Sequence, residues 1–505
     1  AHAHMDREGL KEVYPSLEGA RSIDDILEMI DCLVRAAEPG AWIVTMPVGD
    51  PPSYFDVPDN LREKRFPTRH DLDRVSPDNP VYIRSIWGFW RHSLPLVSIA
   101  NSKALACARV TRDTVAPCAS IEIDKDPVTG EPSGIFIENT YMPVVELSLM
   151  RASGGFTHED RVNGLYRAME VYHSFGTTGI FEEHGIAGEV LDAYKTVHER
   201  GELTMRSNLV FSPSWGSIGD ATRGELLESW ATWLGGRGLG DRFLRMAGIY
   251  TLVESEGGTS PVAEIPVRAG ARPYTGWAGF NYDAALPREE LKAFMIEAAR
   301  ADIRVIATGW MLDVFEEVNR TVSIEGKRWV QGHIGIVTED DAKRARDLGL
   351  VTSTHTNRNI YRTGSLLRER IGVEREDDIS PLRMMKEIGL PFALATDNVP
   401  ASMFHPIWQA VARIDRATGE VIAPSQKLSR EDALRAATIK GAYLTFEEAE
   451  KGSIETGKLA DFAMLSADPL TVPEDDIKDI VADLTIGGGR LVYQRRGSSG
   501  VNLRD

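Results

Sequence analysis

Apolar and polar positions along the chain fall into two periods, and the switching between them outlines the fold. Residues 22–38 read as an amphipathic helix, with Ser22 as N-cap, Asp25 three residues on and Pro39-Gly40 at the end. A short apolar run at 41–46 predicts a strand. Beyond residue 150 the patterns alternate. Strands are predicted at 177–181, 203–211, 242–252, 304–308, 329–333, 350–355 and 391–396, with helices at 158–176, 188–200, 287–301, 338–348, 381–388 and 429–450. Strand and helix in alternation are the signature of βα units and a parallel sheet. With a further strand ending at His4, the count predicts an α/β fold, a TIM (β/α)8 barrel.

Two stretches depart from this rhythm. Between 47 and 150 prolines cluster and aromatics crowd at Trp87-Gly88-Phe89-Trp90, which predicts an insertion with little regular structure. After Lys451-Gly452-Ser453-Ile454 short β segments follow at 461–465 and 484–493. The expected layout is a barrel from 1–46 and 151–450, an insertion at 47–150 after the first βα unit that covers the active-site end, and a small β-sandwich appendage at 451–505. A histidine pair at position 2 suggests a strand whose beginning is absent, so a partner segment for the appendage is expected to precede residue 1.

Composition narrows the function. Apolar residues are 42% and charged residues 26% of 505, the balance of a soluble globular protein. A net charge of −18 argues against a nucleic-acid or anionic-membrane surface and points to a small-molecule substrate. Cys32, Cys107 and Cys118 follow no metal-binding spacing and are too few for a disulfide framework, so a reducing, cytoplasmic setting is expected. There is no signal-like segment and no apolar run long enough to span a bilayer. No Gly-x-Gly-x-x-Gly, phosphate loop or Gly-x-Ser-x-Gly elbow is present.

In such a barrel chemistry sits at the C-terminal strand ends. The polar residues predicted there are His2, His4, Glu182, His184, Glu254, Thr308, His333, His355 and Asp397, and they include five of the eleven histidines. Together they favour a metal site. His2 and His4 are one residue apart and share a face of an extended segment. They are either half a metal site or a remnant ahead of Met5. Glu182 and His184 also share a face, with Glu183 opposite, and two inward polar groups are costly unless they bind something. That favours Glu182 and His184 over Glu183, against the alternative of a buried Glu–His hydrogen bond without a ligand. Asp397 ends an apolar strand, where a carboxylate can hold a cation and take a proton from its water. The alternative there is a helix N-cap, although Pro400 favours a turn. Trp90, His92 and Trp310 are candidates to line a substrate pocket, against the alternative of core packing.

Several motifs resemble the amidohydrolase superfamily, in its YtcJ-like (amidohydrolase-3) branch. They are the opening His2-Ala3-His4, the stretch Ser76-Pro77-Asp78-Asn79-Pro80-Val81-Tyr82 with Ala100-Asn101-Ser102-Lys103, and Gly130-Glu131-Pro132-Ser133-Gly134. Ala395-Thr396-Asp397-Asn398-Val399-Pro400 and the tail from Glu431-Asp432-Ala433-Leu434 to Lys458-Leu459-Ala460-Asp461-Phe462 complete the resemblance, which covers nearly the whole chain. It implies one or two divalent metals, usually zinc with manganese or iron as alternatives, hydrolysis of an amide-like C–N bond, and a homodimer. It carries His2, His4, His333 and Asp397 over as ligands, with Glu182 or His184 completing the set and Asp397 and His355 as catalytic candidates. The family's fourth-strand lysine and fifth-strand histidine have no counterpart: no lysine lies between Lys195 and Lys292 and no histidine between His198 and His333. The expected function is a metal-dependent hydrolase of an amide, carbamate or cyclic amide. The alternatives are a deaminase on the same site or a metal-free binding barrel.

Overall fold

The computed structural model describes residues 2–91, 93–215, 223–253, 275–281, 284–309 and 311–497. They form two compact units, one of residues 9–164 with 275–281 and one of residues 2–8, 165–253 and 284–497.

The first unit is built on a sheet of β1 (Ile43–Thr45), β2 (Val81–Ile83), β3 (Leu96–Ala100), β4 (Ile121–Lys125) and β5 (Pro132–Glu138), in the order β1-β2-β3-β5-β4. β1 and β2 are parallel and the other pairs antiparallel. The helix Ile23–Ala36 starts at Ser22, whose side chain accepts from the Asp25 N–H, and its Ile26, Leu27 and Ile30 share a core with Val81, Ile83 and Ile99. The expectation of little regular structure across 47–150 is therefore corrected. The 41–46 strand belongs to this sheet and not to the barrel. These strands are three to seven residues long and separated by proline-rich turns, too short to show a period. Asn101 explains one of the motifs. Its Oδ1 accepts from the N–H groups of Val81 and Ala104, and its Nδ2 donates to the carbonyls of Ser76 and Asn79, all at 2.9 Å.

The second unit contains β6 (Gly179–Ile186), β7 (Arg206–Phe211), β8 (Leu244–Val253), β9 (Ala285–Leu286), β10 (Val305–Thr308), β11 (Val330–Gly332), β12 (Val351–Thr354) and β13 (Phe392–Leu394). Seven of them lie side by side and parallel in the order β6-β7-β8-β10-β11-β12-β13, with β9 beside β8. The opening residues close the ring. His2 bridges Phe181 in β6, and Ala3 bridges Asp397 just past β13. The Ala3 N–H donates to the Phe181 carbonyl (3.2 Å) and the Thr396 N–H to the His2 carbonyl (3.1 Å). Residues 2–3 are thus the first stave of an α/β TIM-like barrel. Its interior is a buried cluster that includes Phe181, Val210, Ile306, Val330, Val351 and Ala393. The expected 429–450 helix is two helices, Arg430–Ala437 and Ile439–Leu444, broken at Thr438.

In the same unit β14 (Phe462–Leu465), β15 (Ala482–Gly487) and β16 (Arg490–Gln494) form an antiparallel sheet. Arg206, which opens β7, donates twice to Asp461 (2.7 and 2.9 Å), and the buried pair ties this sheet to the barrel.

Candidate metal centre

The barrel's strand ends bring the predicted polar residues to one place. His333 directly follows β11, His355 follows β12 and Asp397 follows β13, while His2 and His4 arrive between β6 and β13. His333 and Asp397 both take left-handed backbone angles (φ 61° and 56°), a strained choice for a residue with a Cβ that re-aims both side chains where the strands stop. Asp397 is the hub. Its Oδ1 lies 3.4 Å from His2 Nε2 and 3.1 Å from His4 Nε2, and its Oδ2 lies 3.3 Å from His355 Nδ1. The His333 ring is centred 4.0 Å from that of His355 and 4.2 Å from that of His184. Asp397 is not a helix N-cap, since the next helix starts after Met403. Asn398 donates to its Oδ1 at 2.8 Å.

Three sets of donor atoms lie within 4.8 Å of one another: His2 with His333, His355 and Asp397; His2 with His4 and His184; and His4 with Asp6 and Glu182. Asp6 was not anticipated from sequence, because it lies just after the opening stave, on the short helix Met5–Glu8. Glu182 makes its hydrogen bond to His4 Nδ1, not to His184. With Glu182 at Nδ1, Nε2 is the ring atom of His4 that faces Asp397.

Glu183 is the clearest departure from the strand-alternation argument. The pairing of β6 with β7 shifts register between Glu182 and Ile186, so simple alternation stops there. Glu183 is fully buried and reaches Gly332, Ser353 and His355. A Cβ on Gly332 would lie 1.5 Å from Glu183 Oε1, so that glycine makes the room the carboxyl occupies. A glycine immediately before a strand-end histidine was the available signal.

The electrostatics suit ligation. Burial holds His2, His4, His184 and His333 well below the ordinary imidazole value of 6.5, so all four rings are neutral. Burial opposes ionisation of Asp397, but the imidazoles of His2 and His355 beside it hold its carboxyl well below the usual carboxylate range. Burial pushes Glu182 well up, with Asp6 adding to the shift, and raises Glu183 to about 7. The Nε2 atoms of His2, His4 and His333 and Nδ1 of His355 are buried without a well-formed hydrogen bond among the described residues. Orphaned ring nitrogens that converge beside a carboxylate fit a divalent cation, and imidazole and carboxylate without thiolate suit zinc, manganese or iron.

Thr308, at the fifth stave's end, is 3.0 Å from the Tyr250 hydroxyl. Trp90 is 1% exposed and packs edge-on against Trp277 at 5.0 Å, the surroundings of a core residue. His92, Glu254 and Trp310 lie outside the described residues.

Comparison with known proteins places the chain in a family. The amidohydrolase family profile matches residues 1–493. The chain belongs to the amidohydrolase family. Membership supports an enzyme acting on C–N bonds. It is 23% identical to N-substituted formamide deformylase of Arthrobacter pascens, across 94% of this chain and 83% of that protein. It is also 23% identical to the amidohydrolase YtcJ of Bacillus subtilis (strain 168), across 98% and 88%. A metal-dependent hydrolase from Pyrococcus horikoshii OT3 shares the fold, with a TM-score of 0.63 and 21% identity over 94% of this chain and 86% of that one. No helix among the described residues is long and apolar enough to cross a membrane.

Proposed function

We propose that this amidohydrolase cleaves the C–N bond of an amide, carbamate or cyclic amide with water, using one or two divalent ions, zinc first. The observation that carries the reading is the convergence of the imidazoles of His2, His4 and His355 on the ionised Asp397 at the strand ends. His2, His4, His184, His333 and Asp397 would hold metal, with Glu182 orienting His4 and His355 beside Asp397. When bound there, a divalent ion would bring the pKa of water from about 15.7 towards about 7 and would polarise a carbonyl. Asp397 accepts the water's proton and delivers it to the departing nitrogen, and Asn398 steadies its carboxylate. The named activity of the Arthrobacter relative makes N-substituted formamides the first substrates to try.

Finer features belong to the same reading: a cytoplasmic homodimer, the 9–164 unit as an insertion after the first βα unit, and the β14–β16 sheet as part of a β-sandwich appendage. The test is elemental analysis of wild type and the His2→Ala/His4→Ala variant, followed by a panel of formamides, carbamoyl compounds and lactams. About one or two metal equivalents in wild type, lost in the variant, with amine plus acid released by wild type and not by Asp397→Asn, is the expected result. Release of ammonia instead would turn the reading to deamination. A metal-free wild type would remove it.

A further inference from the structure

Arg358 lies three residues beyond His355, in the π-helical segment Asn357–Arg362 that follows β12. Its guanidinium Nη1 stands 3.5 Å from His333 Nδ1, at the outer limit of a hydrogen bond to a neutral acceptor. The side chain is half-buried and makes no ion pair among the described residues. Other arginines of this unit differ: Arg206 pairs with Asp461, Arg328 with Glu448, Arg344 with Glu316 and Arg368 with Glu420.

The segment that carries Arg358 is clamped on three sides. The Arg358 N–H donates to the His355 carbonyl at 3.0 Å, and its own carbonyl accepts from the Thr363 hydroxyl at 3.0 Å. Asn357 donates to the carbonyls of Thr396 (2.6 Å) and Val399 (3.0 Å), and Asn359 to that of Ile334 (3.3 Å). Arg362, on the same segment, is held by the Val399 carbonyl at 2.6 Å. Arg358 is therefore presented on a rigid platform beside the imidazole cluster, with a planar fork of donors and no anion among the described residues to receive them. A guanidinium in that state matches a carboxylate, which it can bind through two parallel hydrogen bonds.

We propose that Arg358 is a specificity residue that binds a carboxylate carried by the substrate, so that this enzyme acts on anionic amides. The proposal rests on the hydrolase reading above and deepens it. In the reaction an amide R–CO–NH–R′ and one water give the carboxylate of R and the protonated primary amine of R′. The C–N bond breaks, a C–O bond forms, the water's two protons end on the amine nitrogen, and the carboxylate held by Arg358 passes through unchanged. That carboxylate can sit on the amine side, as in N-acetylphenylalanine, or on the acyl side, as in N-benzylsuccinamate.

The experiment compares each anion with its uncharged counterpart, N-acetyl-2-phenylethylamine or N-benzylbutanamide, on the metal-loaded enzyme. The arm that shows the preference locates the carboxylate. In that arm Arg358→Ala should raise KM for the anion by about 10- to 100-fold, the worth of a charged hydrogen-bonded contact. It should leave kcat, the uncharged substrate and the metal content unchanged, and Arg358→Lys should restore part of the loss. Calorimetric titration with phenylacetate gives a readout independent of turnover, with binding weakened by a similar factor in Arg358→Ala. If wild type cleaves charged and uncharged amides alike, or Arg358→Ala slows both equally or binds phenylacetate as wild type does, the carboxylate subsite falls while the hydrolase reading stands. If no amide is cleaved yet phenylacetate binding still depends on Arg358, the subsite stands and the hydrolase reading falls.

Discussion

Gly332 is the residue whose replacement most directly tests the packing of the site. An alanine there would place its Cβ 1.5 Å from Glu183 Oε1, 2.6 Å from its Cδ and 3.0 Å from Ser353 Oγ. A carbon–oxygen contact needs about 3.3 Å, so the carboxyl would have to retreat by about 2 Å. Glu183 is 0% exposed, so the retreat cannot end in water. Overpacking of this kind costs about 1–3 kcal/mol. Gly332→Ala should therefore destabilise the barrel by about 1–3 kcal/mol. The assay is urea unfolding of the metal-free protein for wild type, Gly332→Ala, Glu183→Ala and the double variant. Removing the Glu183 carboxyl removes the obstacle, so the double variant should recover about 1–3 kcal/mol relative to the sum of the single changes. Single effects that add to within about 0.5 kcal/mol would mean that Gly332 is not there to admit the carboxyl, and would refute the reasoning.

Three further outcomes are expected. Glu138 in the first unit accepts from the Ser85 hydroxyl (3.0 Å) and the Val145 N–H (3.2 Å), and burial raises its carboxyl from 4.5 to about 8. The folded state then binds the extra proton between those values, so this group's contribution falls as pH rises from about 4.5 to about 8. The ceiling on that loss is on the order of 5 kcal/mol, and Glu138→Gln should flatten this part of the stability–pH curve in urea titrations. Asp461→Ala leaves the Arg206 guanidinium buried without its carboxylate and should cost about 3–5 kcal/mol in the same assay, whereas a loss below about 1 kcal/mol would class the pair with surface bridges. Chelation should lower the melting temperature of metal-loaded wild type, since metal at about 1,000 times Kd stabilises by about 4 kcal/mol. The His2→Ala/His4→Ala variant should melt at the same temperature with and without chelator.

What could be read from the sequence depended on how each element is buried. Barrel strands such as Val305–Thr308 and Arg206–Phe211 lie inside their predicted ranges, because apolar runs bounded by turn residues mark staves buried on both faces. The helix Phe404–Ala412 escaped because all but one of its residues are buried and no polar face marks its period. Arg223–Leu234 escaped for the opposite reason, with only Leu227 and Leu234 buried. The sheet of the first unit was hidden by pairing across distance: β1 meets β2 nearly forty residues later, a contact that no local pattern encodes.

At the site the same distinction separates chemistry from position. His2, His333, His355 and Asp397 were found by asking which polar residues end a stave, and all four converge. Matching the family's positions alone would have failed at the fifth stave, where Thr308 and the Tyr250 hydroxyl lie 3.0 Å apart and no histidine is present. The second stave brings His184 into a donor set with His2 and His4, and the seventh brings His355 beside Asp397. A barrel permits that exchange because every stave ends at the same face, so a donor lost from one can be replaced from another without moving the centre. The cost falls on local backbone: left-handed turns at His333 and Asp397, a register shift in β6, and a glycine at 332 that leaves room for Glu183. Those irregularities are where strand alternation misleads: Glu183, expected opposite Glu182 and His184, is buried against Gly332.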